Sequence, residues 1–187
     1  MKFTKTIAPL SAVAVATAIL WGSAAADDDD DYRRPWGIHA YPGVAPVIDQ
    51  RYQDECGSCH MAYPPGLLPV LSWERIMSTL DNHFKENAEL DEQDLMTIRN
   101  YLLNNAAGRI DYQLSNRMVR NLKNFPVRIT ELPYFQHEHQ KIPPRLVQGN
   151  SKVRSLSNCD TCHHDATQGT FNEHEIYIPG YGRYEDD

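Results

Sequence analysis

The segments Cys56-Gly57-Ser58-Cys59-His60 and Cys159-Asp160-Thr161-Cys162-His163 share one pattern and contain all four cysteines of the chain. The pattern Cys-x-x-Cys-His is typical of c-type haem attachment, in which two thiols add to the haem vinyl groups and the adjacent histidine binds the iron. Two intervening residues bring both sulfur atoms within reach of one porphyrin edge. The sequence therefore predicts two covalently bound haem c groups, with thioethers at Cys56, Cys59, Cys159 and Cys162 and first iron ligands at His60 and His163.

Two other chemistries use paired cysteines, namely a Cys₄ zinc site and a redox disulfide. The two pairs are much farther apart than the roughly 15 to 20 residues of a zinc ribbon. A histidine directly follows each pair, although the chain of 187 residues has only eight histidines. Both observations favour haem over zinc or thiol chemistry.

The first 26 residues have the features of an export signal. Lys2 and Lys5 form a short basic region, residues 7–21 are mostly apolar, and Ala24-Ala25-Ala26 resembles a cleavage site. The apolar stretch contains Pro9 and several alanines, so it matches poorly a membrane span of about 20 strongly apolar residues. We therefore expect a signal peptide over residues 1–26 and a periplasmic mature protein, in agreement with haem attachment outside the bacterial cytoplasm.

The mature protein is predicted to be acidic. The formal charge of -7 becomes -9 without the two lysines of the signal. Five of the negative charges form the run from Asp27 to Asp31, which is typical of a solvated tail. Because an acidic protein is repelled by phosphates, we expect no nucleic-acid partner.

The domain organisation follows from length and proline content. Residues 27–50 are acidic and contain several prolines, which predicts an irregular N-terminal arm. Residues 51–187 are predicted to form one domain, with a haem 1 region at 51–108 and a haem 2 region at 109–187. No convincing strand pattern occurs, so the expected fold is mainly α: a small cytochrome c-like helical domain wrapped around two haems, with long irregular loops and little or no strand.

Helical spacing predicts several short helices. The first covers residues 49–62 and carries the first motif. Ser72 is predicted to cap the second helix, on which His83 faces the buried side. The third begins at Asp91 and stops near Asn104, and weaker candidates cover 117–122 and 157–166. The apolar residues at helical spacing in the second helix are Trp73, Ile76, Met77, Leu80 and Phe84.

The second axial ligand of each iron decides whether the protein carries electrons or binds small ligands. For haem 1 the candidates are His83, Met118 and Met96, and the predicted position of His83 on a buried helix edge favours it. For haem 2 a methionine after the motif is excluded, because Met118 is the last methionine of the chain. The histidines available to haem 2 are His137, His139, His164, His174 and His39. Residue chemistry alone leaves His137 and His139 nearly equal.

From Glu55 to Pro179 the chain resembles the diheme cytochrome c (DHC) family of exported bacterial electron carriers. The similar stretches are 56–60, 73–84, 101–102, 128–130, His139 with 142–143, 158–166, 169–171 and 178–179. The resemblance implies that both haems are bis-histidine ligated, with His83 on haem 1 and His139 on haem 2. His137 remains the alternative distal ligand of haem 2. Residues 27–54 extend beyond the shared core.

We therefore predict a diheme electron carrier that passes single electrons, is not an enzyme and has no small-molecule substrate. By resemblance, its partners are a membrane b-type cytochrome or quinol-linked reductase and a second soluble haem protein. Four imidazole ligands predict low reduction potentials, because methionine ligation would raise them. The alternative is a peroxidase-like diheme enzyme with one open iron, for which Glu138 is only a loosely placed catalytic group.

Overall fold

The structure of the protein is a computed structural model that describes residues 43–184. Over these residues the chain is mainly helical, as predicted. The predicted signal peptide, the run of aspartates and His39 lie outside the described residues. The helices are α1 (Gln50–Cys56), α2 (Val70–Met77), α3 (Glu92–Asn105), α4 (Gln113–Val119), α5 (Pro133–His139) and α6 (Pro144–Val147), and the two short strands are β1 (Tyr177–Ile178) and β2 (Gly182–Arg183).

The first helix is shorter than predicted. Asp49 caps α1 by accepting a hydrogen bond of 2.8 Å from the Tyr52 N–H, and the helix ends at Cys56 rather than at Ala62. Glycine and serine then weaken the helix, because glycine has a low helix propensity and the Ser58 hydroxyl donates back to the Glu55 carbonyl at 2.9 Å. His60 consequently lies in the loop that follows α1.

The second helix begins and ends earlier than predicted. It is Pro69, not Ser72, that precedes α2, and the Pro69 carbonyl accepts from the Ser72 N–H at 3.0 Å. The Ser72 hydroxyl is buried without a hydrogen-bond partner among the described residues. At the other end, the Thr79 hydroxyl donates to the Arg75 carbonyl at 2.9 Å, and a 3₁₀ turn replaces the helix. His83 therefore follows a 3₁₀ turn and is not on a helix, which corrects the predicted position.

The third helix matches its prediction. Asp91 caps α3 by accepting from the Asp94 N–H at 2.9 Å. Ile98 and Leu102 are fully buried where α3 packs on α2, which stabilises both helices through apolar burial.

The elements in the second half of the chain differ from the predicted ones. Helix α4 covers Gln113–Val119 instead of 117–122, and the second motif forms a 3₁₀ turn at Cys159–Thr161 instead of one α-helix. Pro133 and Pro144 begin helices rather than break them, since the first position of a helix needs no N–H donor. Strands β1 and β2 pair antiparallel near the C-terminus.

The main hydrophobic core joins both halves of the chain. It includes Val44, Trp73, Ile98, Leu132 and Phe135, while a smaller cluster forms around α6 and β1. The segment just before α1 belongs to this packing, because the Val44 N–H donates to the Gly169 carbonyl at 2.9 Å. Gly43 and Gly169 both have positive φ, and a Cβ at either position would lie 2.0 Å from a backbone oxygen. These contacts hold the start of the domain against the chain that follows the second motif.

Candidate haem sites

The first motif and His83 bring two imidazole rings close together. The ring centroids of His60 and His83 are 6.2 Å apart, and the ring planes differ by 23°. The Nδ1 atom of His60 is 2.8 Å from the Met61 carbonyl oxygen. Because a carbonyl only accepts, this nitrogen donates the hydrogen bond and leaves Nε2 of His60 available to a metal.

The second motif forms an equivalent pair with the end of α5. The ring centroids of His139 and His163 are also 6.2 Å apart, but their planes differ by 68°. Nδ1 of His139 donates to the Phe135 carbonyl at 2.8 Å, and the His139 ring stacks on the Phe135 ring at 3.9 Å. The orientation of His139 is thus held by one hydrogen bond and one stacking contact from its own helix.

The ring separations suit an iron atom between each pair. Metal–imidazole nitrogen bonds are about 2.0 Å long, and each nitrogen lies about 1.1 Å from its ring centroid, which gives roughly 6 Å between centroids. Both pairs have this spacing. The histidines named from the sequence, His60 with His83 and His163 with His139, are therefore brought together as two pairs that could each hold a haem iron.

Burial keeps several of these imidazoles neutral, as an iron ligand must be. Burial lowers the pKa of His139, and it lowers the pKa of His163 to about 4, where the neighbouring His139 adds to the effect. Burial also lowers the pKa of His83, and the charges of His60 and Arg128 lower it further. At neutral pH these three rings are therefore uncharged and can act as metal ligands.

The other candidate ligands lie elsewhere. His137 is exposed on α5, and its Nδ1 is 3.2 Å from the Gln140 amide nitrogen. The Met118 side chain is buried in the main core, while the Met96 side chain is 55% exposed. His164 packs against Tyr177, and the exposed His174 lies 3.7 Å from Glu173.

The four cysteines lie beside the histidine pairs and are not joined in disulfides. Cys56 ends α1, Cys59 is exposed, Cys159 is buried and Cys162 is half-buried. Burial raises the pKa of Cys56 to about 11 and, together with the Asp160 charge, the pKa of Cys159 to about 12. Among residues 43–184 no three of the metal-ligating side chains of His, Cys, Asp and Glu converge.

Sequence reasoning missed two tyrosines that connect the motifs. The Tyr52 hydroxyl donates to the Tyr63 carbonyl at 2.8 Å, and the Tyr63 hydroxyl donates to the Ser157 carbonyl at 2.7 Å. The Tyr63 ring is also 4.9 Å from the His60 ring. A tyrosine shortly after one motif and a serine just before the other carry no recognisable signal in sequence, because their contact depends on how the two halves pack.

Sequence reasoning also misplaced Phe84, which was expected on the buried face of a helix. Phe84 is instead 39% exposed and follows His83 in a tight turn. Its ring meets the His83 ring edge-on at 4.8 Å, and the Arg128 guanidinium lies over its face at 4.0 Å. Arg128 is thereby brought close to the first histidine pair.

The fold and the two sites define a small helical protein with two c-type haem motifs, each beside a pair of histidines. The family model of DHC, dihaem cytochrome c, matches residues 52–171, so the chain belongs to the dihaem cytochrome c family. As a member of this family it carries two covalently bound haem c groups with iron. The family assignment indicates a c-type diheme electron carrier rather than an enzyme.

Solved structures agree with this assignment. The X-ray structure of a diheme cytochrome type c from Shewanella baltica OS155 is 42% identical with a TM-score of 0.62, covering 73% of this chain and 97% of that one. A diheme cytochrome c from Rhodobacter sphaeroides is 41% identical with a TM-score of 0.60, covering 68% of this chain and 100% of that one. Curated proteins gave no match. The predicted family, fold class and cofactors are therefore confirmed.

No helix within residues 43–184 combines the length and the apolar character needed to span a membrane.

Proposed function

We propose that the protein is a periplasmic carrier of single electrons in which both haem irons are low-spin and bis-histidine ligated. In this proposal His60 and His83 bind haem 1 iron, and His163 and His139 bind haem 2 iron. The thioether bonds are made by Cys56, Cys59, Cys159 and Cys162. The observation that carries the proposal is the common 6.2 Å separation of the two histidine pairs.

The bound haem would supply the exchange of one electron between the ferrous and ferric states of its iron. The chain's own residues would present two imidazoles to each iron and so would leave no open coordination position for a substrate. The Phe135 carbonyl and ring hold His139, and the Met61 carbonyl holds His60. The protein itself would therefore set the orientation of these two imidazoles when haem is bound.

Ligation by histidine without methionine supports low reduction potentials for both haems. We further propose that the chain is exported, on the basis of the signal pattern in residues 1–26. Its partners would be a membrane b-type cytochrome or quinol-linked reductase and a second soluble haem protein. The mature charge of -9 favours partners with a basic docking face.

Carbon monoxide distinguishes the carrier from the alternative, a peroxidase-like diheme enzyme with one open iron. Added to the reduced protein, carbon monoxide should leave the low-spin absorbance spectrum unchanged, because both axial positions of each iron are taken. A stoichiometric spectral shift at one haem would refute the carrier proposal. The 6.2 Å separation of the His139 and His163 ring centroids also supports a haem 2 iron with both axial positions filled.

A further inference from the structure

The turn that presents His83 has an unusual backbone. The Glu86 N–H donates to the His83 carbonyl at 3.1 Å, and the two central residues have positive φ, 54° for Phe84 and 84° for Lys85. Positive φ at two consecutive positions is typical of turns that contain glycine or asparagine, and for a bulky residue such as Phe it is an outlier. The conformation of this turn therefore depends on contacts from the surrounding structure.

Arg128 supplies such a contact. Its guanidinium lies 4.0 Å from the centroid of the Phe84 ring, in a cation–π arrangement. The Phe84 ring in turn meets the His83 ring edge-on at 4.8 Å. The Phe84 ring thus lies between the positive charge of Arg128 and the His83 ring. The Arg128 charge contributes, after burial and His60, to lowering the pKa of His83.

We propose that the positive charge of Arg128, held beside His83 by the Phe84 ring, raises the reduction potential of haem 1. The inference rests on the proposed function, in which His83 binds the iron of haem 1. Oxidation adds a positive charge to the iron, and a neighbouring guanidinium disfavours that charge by Coulomb repulsion. Arginine suits this role because it stays charged across the physiological pH range and stacks on aromatic rings.

Other charged side chains also lie near the two motifs. Each motif has an acidic residue beside its first cysteine, Glu55 at haem 1 and Asp160 at haem 2, so these two act similarly. Glu131 lies 3.8 Å from Arg128 and offsets part of its charge. Both side chains are about half exposed, and solvent therefore screens the interaction. A modest shift specific to haem 1 is expected.

A redox titration followed by electron paramagnetic resonance (EPR) tests this proposal. The ligand planes differ by 23° at haem 1 and 68° at haem 2, so the two haems should give different low-spin signals. Arg128→Gln should lower the reduction potential of haem 1 relative to that of haem 2. The expected change is about threefold in the equilibrium constant for electron exchange between the haems, which is about 28 mV for a one-electron couple. Arg128→Lys, which keeps the charge, should restore most of the potential.

Glu131→Gln provides a second test if Arg128→Gln disturbs the turn. This change leaves Arg128 and Phe84 in place and removes the opposing charge, so haem 1 should become easier to reduce. Arg99→Gln is the matched control, because Arg99 pairs with Glu74 on the α2–α3 surface and should leave the exchange equilibrium unchanged.

The proposal is overturned if neither Arg128→Gln nor Glu131→Gln moves haem 1 relative to haem 2 while both haems stay low-spin. It is also overturned if Arg99→Gln produces the same shift as Arg128→Gln. Failure of the proposed function would look different, since the unmodified protein would then bind carbon monoxide or contain a high-spin haem.

Discussion

The hydroxyl of Tyr63 donates a 2.7 Å hydrogen bond to the carbonyl oxygen of Ser157, which joins the chain just after the first haem motif to the chain just before the second. The ring of Tyr63 lies 4.9 Å from the His60 ring, and its own carbonyl accepts from the Tyr52 hydroxyl at 2.8 Å. Burial, with the Asp160 charge adding to it, raises the pKa of Tyr63 to about 12, so the donor stays protonated. These hydrogen bonds therefore connect the two haem regions close to the two Cys-x-x-Cys-His motifs.

Replacing Tyr63 with Phe should weaken this connection without disturbing the haems. The change removes the hydroxyl, leaves the Ser157 carbonyl partly buried without that donor, and should lower the free energy of unfolding by about 1 to 2 kcal/mol. Denaturant unfolding of the holoprotein measures the effect. Tyr101→Phe is the control: its hydroxyl accepts from the exposed Ile48 N–H at 3.3 Å and from the neighbouring Asp49 N–H, both close to solvent, so the loss should be smaller. Equal losses in the two variants would contradict the prediction.

Separate alanine substitutions of His139 and His137 should identify the distal ligand of haem 2. His139 faces His163 at 6.2 Å and is held by Phe135, whereas His137 is exposed and lies 3.2 Å from Gln140. We expect His139→Ala to make one haem high-spin and able to bind carbon monoxide, and His137→Ala to leave both haems low-spin. The absorbance spectrum of each purified variant reports the result. A high-spin haem in the His137 variant alone would assign the ligand to His137.

The two haems should have distinct EPR spectra in the oxidised protein. Nearly parallel imidazole planes, as in the His60–His83 pair at 23°, separate the two iron d orbitals that interact with the rings and give a rhombic low-spin signal. Nearly perpendicular planes, as in the His139–His163 pair at 68°, leave those orbitals close in energy and give a strongly anisotropic signal. Low-temperature EPR should therefore show one signal of each kind. Two identical rhombic signals would be inconsistent with the second ring geometry.

Acid should destabilise the holoprotein between about pH 6.5 and pH 4. An unfolded histidine binds a proton near pH 6.5. Burial lowers the folded-state pKa of His163 to about 4 and also lowers that of His139. In this range the unfolded chain binds more protons than the folded chain, so the free energy of unfolding falls as the pH falls, by up to about 1.4 kcal/mol per pH unit for His163, and His139 acts in the same direction. Iron ligation acts in the same direction.

Denaturant unfolding at several pH values measures this dependence. A stability that rises as the pH falls through this range would show that the buried histidines are protonated in the folded state.

Much of the fold and of the candidate site could be predicted from local patterns. The cap of α3 is an example, because Asp91 and the N–H of Asp94 are three residues apart and their hydrogen bond depends on nothing else. The second helix was harder to predict. Trp73 to Phe84 has apolar residues at helical spacing, yet α2 ends at Met77 where the Thr79 hydroxyl binds the Arg75 carbonyl. Periodicity describes which residues are buried, and it does not detect where the backbone leaves the helix.

The sequence by itself determined the chemistry of this protein. Two Cys-x-x-Cys-His segments specify haem attachment through covalent spacing alone, and the absence of a methionine after Met118 rules out a methionine ligand downstream of the second motif. Only the tertiary structure decided which distant residues meet those segments. His83 reaches His60 from a strained turn, His139 reaches His163 from the end of α5, and Tyr63 reaches Ser157 across the interior. These contacts arise because the core packs the two halves of the chain together, which no short stretch of sequence encodes.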